Sequence, residues 1–149
     1  MTAVDNVSRE TFRSLSNLLL AVRMSIWVVA LPLAKRAVPI ARLARLMWLD
    51  QREERSEERQ LFTTRLACRL TRFSGANCLD RSLILYRYLA GEGADPTLVL
   101  GIASAGAKRA GGHAWVVVDG APVVESAHEL ARYEPVVAFG AGGDRVVDR

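Results

Sequence analysis

The stretch "SGANCLDRSLILYRYL", residues 74–89, places a cysteine directly before an apolar run. The Ser74-Gly75 pair is typical of the end of one helix, and Asn77 is a preferred N-cap residue for the next. Cys78 then falls in the first turn of a helix predicted to continue until "GEG" ends it. The sequence therefore predicts a thiol at a helix start, beside N–H groups that have no partner within the helix.

This position suits a nucleophile. The positive end of the helix dipole favours the thiolate over the thiol, and the unpaired N–H groups, together with the Asn77 side chain, are candidate donors to an oxyanion. The chain has two cysteines and two histidines, so few residues are available for such chemistry. Cys68 lies inside the preceding helical segment, where a cysteine is usually a small core residue. A structural role is the alternative for Cys78 as well.

Helical periodicity fills the chain before this stretch. The first segment runs from about Arg9 to Leu31, and Pro32 predicts its end or a kink. A second segment covers Pro39 to Trp48, and a third enters near Ser56 and continues to Gly75. The apolar residues that carry the first two patterns are Phe12, Leu15, Leu19, Val22, Ile26 and Val29, and then Ile40, Leu43, Leu46 and Met47.

Strand patterns follow residue 97. "TLVLGIAS" at 97–104 predicts a strand, and "AGAKRAGG" at 105–112 predicts a Gly-rich loop that could shape or gate a site. "HAWVVVDGAPVVE" at 113–125 joins two apolar runs around Asp-Gly, a strong hairpin signal. "ELARY" predicts a helical turn, "EPVVAFG" a last short strand, and the tail from Gly140 a loose end. Helices followed by strands predict an α+β fold, with a helical N-terminal half on a small antiparallel sheet.

The composition indicates one globular domain. The 149 residues are half apolar and about a quarter charged, which is enough chain for a real core. The net charge of +4 is mild, and no Lys/Arg block with interleaved aromatics is present, so we expect no nucleic-acid partner. Free cysteines suit a reducing cytoplasm. The Cys and His spacing does not match a zinc finger and no nucleotide-binding motif occurs, so we expect no metal and no cofactor.

The apolar stretch "LLLAVRMSIWVVALPLA", residues 18–34, raises the question of a membrane segment. It has 17 residues interrupted by Arg23 and Pro32, whereas a spanning helix needs about 20 apolar residues. Basic residues follow the run instead of preceding it, unlike those of a signal peptide. We therefore expect a buried or partner-facing helix, and membrane contact is the minor alternative.

A thiolate nucleophile needs a base, and His113 begins the first strand of the predicted hairpin. Alternation places His113 and Trp115 on one face of that strand. Glu125 returns to the level of His113 on the neighbouring strand, whereas Asp119 lies in the turn, about 20 Å away along the strand. Glu125 is thus the expected acid that orients the imidazole, and turn chemistry explains Asp119. His128 lies in a helical or loop segment and suits a base less well.

Structural explanations exist for each of these residues. A lone cysteine at a helix start or a lone histidine in a strand is more often structural than catalytic, and Trp115 either walls a cleft or fills the core. Asp80 and Arg81 form a surface pair with each other or contact substrate. The combination of thiol, imidazole and acid is more specific, because it matches the arrangement of nucleophile, base and orienting group.

Two longer motifs carry a family resemblance. "NCLDRSLILYRYLAGEGADPTLVLGIA" followed by "GGHAWVVVDGAPVVE" resembles the lasso-peptide biosynthesis B2 proteins, leader peptidases that look like the transglutaminase-like branch of the papain-type cysteine enzymes. The resemblance covers about residues 60–138. It implies a catalytic set of Cys78, His113 and Glu125. Family members often have Asp at the last position, so Glu125 is a departure that leaves Asp119 open as the third member.

The resemblance implies a cytoplasmic cysteine peptidase that removes the leader from a ribosomally made lasso-peptide precursor. A separate ATP-dependent cyclase would then close the macrolactam and is a further expected partner. The chain is too short to hold a leader-recognition element beside the matched region, so a separate B1-type recognition protein is expected. The implied organisation is an N-terminal helical region at residues 1–55, for partner or leader contact or for packing, and a transglutaminase-like peptidase core at 56–149.

Two other functions remain open from the sequence. A transglutaminase-like acyltransferase or amidase would use the same nucleophile and base. A non-enzymatic scaffold would bind a partner through its helical half and keep Cys78 as a structural residue.

Overall fold

The fold consists of helices followed by a five-stranded antiparallel sheet. This computed structural model describes residues 3–50, 54–104 and 111–146, with side chains from residue 13 onward. The helices are α1 Ala3–Ala37, α2 Ile40–Met47, α3 Glu57–Ser74, α4 Cys78–Gly91 and the short α5 Ala127–Leu130. The strands are β1 Thr97–Ala103, β2 Gly112–Val118, β3 Ala121–Pro122, β4 Tyr133–Phe139 and β5 Arg145–Val146, and a 3-10 turn covers Ala141–Gly143. The predicted α+β class, with a helical N-terminal half, is confirmed.

The sheet has the strand order β3-β2-β1-β4-β5. Strand β1 is central and pairs antiparallel with β2 on one side and β4 on the other. The β2–β3 hairpin turns at Asp119 and Gly120, whose φ angles are 51° and 78°. A two-residue turn of this type needs positive φ at both positions, which Asp-Gly supplies at low cost. The predicted hairpin is therefore confirmed.

Helix α4 lies against the sheet and is covered on most of its circumference. Leu83, Tyr86 and Leu89 are almost fully buried, and they share the core with Leu98 of β1 and Val116 of β2. The cap at Asn77 and the following apolar run produce this helix as predicted. The helix that begins at Cys78 is thus a core element of the fold.

Helix α1 continues through Pro32, so of the two alternatives predicted there, an end or a kink, the end is wrong. Proline removes one helical hydrogen bond and disfavours a helix interior. Here the packing on both sides of the proline compensates. Leu31 is fully buried before it, and Ala34 and Lys35 are half-buried after it. Tertiary packing therefore outweighs the local preference for a stop.

The apolar pattern predicted for α1 lies on the side of the helix that faces outward. The members of this pattern whose side chains are described are each at least half exposed, namely Leu15, Leu19, Val22, Ile26 and Val29. A second set of apolar residues faces the core instead, namely Leu20, Met24, Val28 and Leu31. Because α1 is apolar around most of its circumference, periodicity alone does not identify the buried face.

Helices α2 and α3 follow the prediction with one exception. In α2, Leu43 and Met47 are buried as expected, whereas Leu46 is 61% exposed and Ala44 takes its place in the core. Helix α3 begins after the N-cap Ser56 and ends at Gly75, which adopts φ 69°. Both signals for α3 are confirmed.

The segment after Gly140 is ordered within the described residues, so the predicted loose tail is wrong there. Strand β5 pairs with β4 through Ala138 and Val146. The Tyr86 hydroxyl donates a hydrogen bond to the Gly140 carbonyl. Gly143, with φ 73°, lies so close to the α2 backbone that a Cβ atom would be 2.5 Å from Arg45 Cα. These contacts anchor the segment to α2 and α4.

One predicted feature lies partly outside the described residues. It is the Gly-rich loop at 105–112, of which residues 105–110 are not described. The described end of that loop, Gly112, is already the first residue of β2.

Candidate active site

Cys78 is the first residue of α4 and is half-buried. The Asn77 side chain accepts a hydrogen bond of 3.0 Å from the Asp80 N–H, and the Asp80 carboxylate accepts one of 3.1 Å from the Asn77 N–H. This reciprocal pair is a capping box. It fixes the helix start at the cysteine, so the thiol lies in the first turn as the sequence predicts.

A lysine from α1 reinforces this helix start. Lys35 Nζ lies 2.6 Å from Asp80 Oδ1, and the Asp80 side chain is only 3% exposed. Lys35 also donates to the Asn77 side-chain oxygen at 3.3 Å. The ion pair compensates a buried carboxylate that would otherwise be costly. It connects the C-terminal end of α1 to the turn that carries Cys78.

His113 and Glu125 are in contact. His113 Nε2 lies 3.3 Å from Glu125 Oε1, and their side chains are 18% and 10% exposed. Glu125 follows β3, whose pairing with β2 continues through the hydrogen bond from Val123 N–H to the Val116 carbonyl. The hairpin therefore brings the acid back beside the first residues of β2. Glu125 thus reaches His113 as expected, but it lies three residues past the end of β3 and not on a strand as predicted. The catalytic roles of the two residues stay a prediction.

The same carboxylate binds α4. Arg81, in the first turn of α4, forms an ion pair with Glu125 Oε1. The predicted pairing of Asp80 with Arg81 is wrong, because Asp80 binds Lys35 and Arg81 points to the hairpin. Glu125 is thus held from two directions, by the imidazole of β2 and by the guanidinium of α4. Cys78 lies in the turn of helix that supplies this guanidinium.

A buried hydrogen bond fixes α4 along β2. Ser82 Oγ donates to the Ala114 carbonyl over 2.9 Å, and Ala114 is the neighbour of His113 in the strand. Ser82 comes four residues after Cys78, so the two lie on the same face of the helix, one turn apart. The cysteine therefore lies on the side of α4 that faces the strand bearing the histidine.

The His113 ring stacks against two aromatic rings. Its centroid lies 4.8 Å from that of Tyr133 on β4 and 6.0 Å from that of Trp115 on β2. Trp115 is only 5% exposed, so it is buried beside the histidine and does not form an open wall. Gly101 of β1 pairs with His113, and a Cβ atom there would lie 2.8 Å from the Trp115 ring. The glycine thus provides space for the Trp115 ring.

The remaining candidates lie in other settings. Asp119 is in the hairpin turn, where its carboxylate pairs with Arg55 and is exposed. The hydrogen bond from Arg55 lowers the pKa of the Asp119 carboxyl. Burial raises the pKa of the Cys68 thiol, which is on α3. His128 is in α5 and is exposed.

Three contributors to this region were not identified from the sequence, namely Lys35, Ser82 and Tyr133. Lys35 and Ser82 give no local signal, because their partners lie 45 and 32 residues away in the chain. Tyr133 gives no local signal either, because it meets the His113 ring from another strand, 20 residues further along the chain.

Among the described residues, no group of three or more His, Cys, Asp and Glu side chains is placed to hold a metal ion. The arrangement is instead that of a thiol at a capped helix start, with an imidazole and a carboxylate paired on the adjacent hairpin. Such a set suits nucleophilic acyl chemistry.

The family comparison agrees with this geometry. Residues 18–138 match the family model described as the transglutaminase-like superfamily. No curated protein and no solved structure matches the chain. The match covers most of the chain, from the middle of α1 to the end of β4, and includes the thiol, the imidazole and the carboxylate. The chain therefore belongs to the transglutaminase-like superfamily.

Proposed function

We propose that this protein is a cysteine peptidase that removes the leader from a ribosomally made lasso-peptide precursor, together with a separate leader-binding recognition protein. The contact between His113 and Glu125, beside the start of the helix that carries Cys78, is the observation that carries the proposal. The superfamily match supports acyl chemistry at a cysteine. The two motifs that resemble the lasso-peptide leader peptidases supply the substrate class.

The proposed reaction begins at the thiol. His113 Nε2 faces Glu125, so Nδ1 is the nitrogen left to take the proton from Cys78. The thiolate attacks the carbonyl carbon at the leader–core junction, and N–H groups of the α4 start stabilise the oxyanion. The peptide C–N bond then breaks, and His113 donates its proton to the departing core amine. Water hydrolyses the thioester and releases the leader as a free acid.

Within this mechanism Glu125 fixes the tautomer and orientation of the imidazole. Arg81 in turn holds the Glu125 carboxylate in place. Asn77 already uses its side-chain oxygen for the cap, which leaves the amide N–H group as the donor available to an oxyanion.

Leader cleavage is the direct test. The protein is incubated with a cognate precursor and its recognition protein, and the free leader is measured by mass spectrometry. Cys78→Ala and His113→Ala should abolish cleavage while thermal unfolding stays unchanged, and the matched Cys68→Ala variant should keep activity. Cleavage at the wild-type rate by Cys78→Ala would overturn the proposal.

The acid is tested by a matched pair of amide substitutions. Glu125→Gln should slow cleavage by about a hundredfold or more, because the imidazole loses its charged partner. Asp119→Asn should leave the rate within about twofold, because its carboxylate pairs with an exposed arginine. A larger loss with Asp119→Asn would reassign the third member of the set.

An acyltransferase is the second candidate, because the match to the transglutaminase-like superfamily is consistent with acyl transfer as well as with peptide cleavage. Adding a primary amine during cleavage separates the two reactions. A peptidase yields the leader acid, whereas a transferase yields the amine adduct of the leader.

A further inference from the structure

The outward face of α1 is an exposed aliphatic surface, here called the aliphatic stripe. Seven side chains form it, and their exposed fractions lie between 50% and 73%. They recur at three- and four-residue steps over residues 15–33, a length of about 27 Å along the helix. Soluble monomers rarely leave so large a contiguous apolar surface uncovered. The members are Leu15, Leu18, Leu19, Val22, Ile26, Val29 and Leu33.

The charged residues of the segment that carries the stripe are all basic. Residues 11–49 contain six basic residues and no acidic residue. Arg23 and Arg36 are exposed, and Arg36 follows Val29 by two turns on the same side of α1. Glu58 of α3 lies beside Arg13 and Asn17 at the N-terminal end of the stripe. An aliphatic surface flanked along its own helix by exposed arginines complements an anionic lipid surface, which supplies hydrocarbon and negative charge together.

The opposite face of α1 determines how the helix can meet a bilayer. The segment Arg13–Ala37 is long and apolar enough to cross a membrane. However, Met24, Val28 and Leu31 are buried in the core of the protein, and Lys35 pairs with the buried Asp80. Crossing the bilayer would remove all of these groups from their partners. Lying along the surface keeps them in place.

We propose that this protein docks on the surface of an anionic phospholipid bilayer, with α1 parallel to the membrane and the aliphatic stripe at the boundary of the acyl chains. Docking leaves the described core unchanged. Since Lys35 connects the end of α1 to the capped start of α4, the docked face and the turn that carries Cys78 are held in one fixed relation.

Vesicle co-sedimentation tests the proposal without any precursor peptide, so its result is independent of the proposed peptidase activity. The full chain should bind vesicles of phosphatidylcholine with about one third phosphatidylglycerol, and bind pure phosphatidylcholine vesicles about tenfold more weakly. Ile26→Asp should weaken binding to the anionic vesicles by about tenfold or more, because a carboxylate enters the hydrocarbon boundary. Ile102→Asp is the matched control, since Ile102 is 54% exposed on β1, and it should bind like the wild type.

A second variant avoids any change to the stripe. The double substitution Arg23→Gln and Arg36→Gln should reduce the preference for anionic vesicles by about fivefold for each charge removed, with thermal unfolding as a check of the fold. Failure of the wild type to bind anionic vesicles would overturn the proposal. Equal loss of binding in Ile26→Asp and Ile102→Asp would also overturn it. So would a stable dimer in sedimentation velocity that Ile26→Asp dissociates, because a second copy would then cover the stripe.

Discussion

Helices α1 and α4 are both rich in apolar residues, yet the fold treats them differently. Helix α4 is enclosed by α3, the sheet and the two N-terminal helices, and its residues from Ser82 to Gly91 are buried with the exception of Arg87. Helix α1 buries one face and leaves the aliphatic stripe open. The difference shows that apolar content alone does not determine burial, because the neighbouring elements decide which faces are covered.

The largest expected effect on stability is loss of a buried leucine from either helix. Leu83→Ala in α4 and Leu31→Ala in the inward face of α1 should each lower the free energy of unfolding by about 2–5 kcal/mol, since both side chains are fully buried. Urea unfolding measures the effect. If Leu31→Ala were neutral, the inward face of α1 would not belong to the core.

The ion pair between α1 and α4 should show the next largest effect on the free energy of unfolding. Lys35→Met leaves the buried Asp80 carboxylate without its cation and should lower the free energy of unfolding by about 2 kcal/mol. The loss should be smaller than for a fully buried ion pair, because the Lys35 side chain is partly exposed. The neighbouring exposed residue gives a control, and Arg36→Met should change the free energy of unfolding little. Adding Asp80→Asn to Lys35→Met should recover part of the loss. Equal stabilities of Lys35→Met and Arg36→Met would contradict the ion pair.

A smaller effect is expected for the hydrogen bond between α4 and β2. Ser82→Ala removes the donor to the Ala114 carbonyl inside the core and should cost about 1 kcal/mol in urea unfolding. Ser25→Ala in α1 is the counterpart, because the exposed Ser25 hydroxyl donates to the Ala21 carbonyl of its own helix. It should be neutral or slightly stabilising. A reversed order would mean that Ser82 does not fix α4 on the strand.

The smallest effect is expected in the aliphatic stripe. Leu18→Ala changes the same residue type as Leu31→Ala and Leu83→Ala, but Leu18 is 62% exposed. The free energy of unfolding should change by less than about 0.5 kcal/mol. A loss comparable to that of Leu31→Ala would show that the stripe is packed in the folded protein.

Local signals predicted α4 and the hairpin well. The capping residue Asn77 and the Asp119-Gly120 turn both act through hydrogen bonds and φ angles within a few residues, so the sequence contains the information. The return of Glu125 to His113 then follows from strand geometry, because a tight hairpin fixes the register.

Features that depend on distant partners were not predicted. The continuation of α1 past Pro32 depends on core contacts of the residues on either side, and the order of the tail depends on Gly143 meeting the α2 backbone. Pairing of Arg81 with Asp80, its neighbour in the chain, was one of two expectations, the other being contact with substrate, whereas the fold pairs Arg81 with Glu125, 44 residues away. Periodicity identified an apolar face of α1, but the choice between its two apolar faces is made by α3 and α4.

The alkylation rate of Cys78 tests the central proposal, an imidazole that activates a thiol at a helix start. The rate of reaction with iodoacetamide at neutral pH is measured in the Cys68→Ala background, with and without His113→Ala. We predict that Cys78 reacts about tenfold faster or more when His113 is present, because the imidazole accepts the thiol proton. Equal rates in the two proteins would contradict the proposed activation of Cys78 by His113.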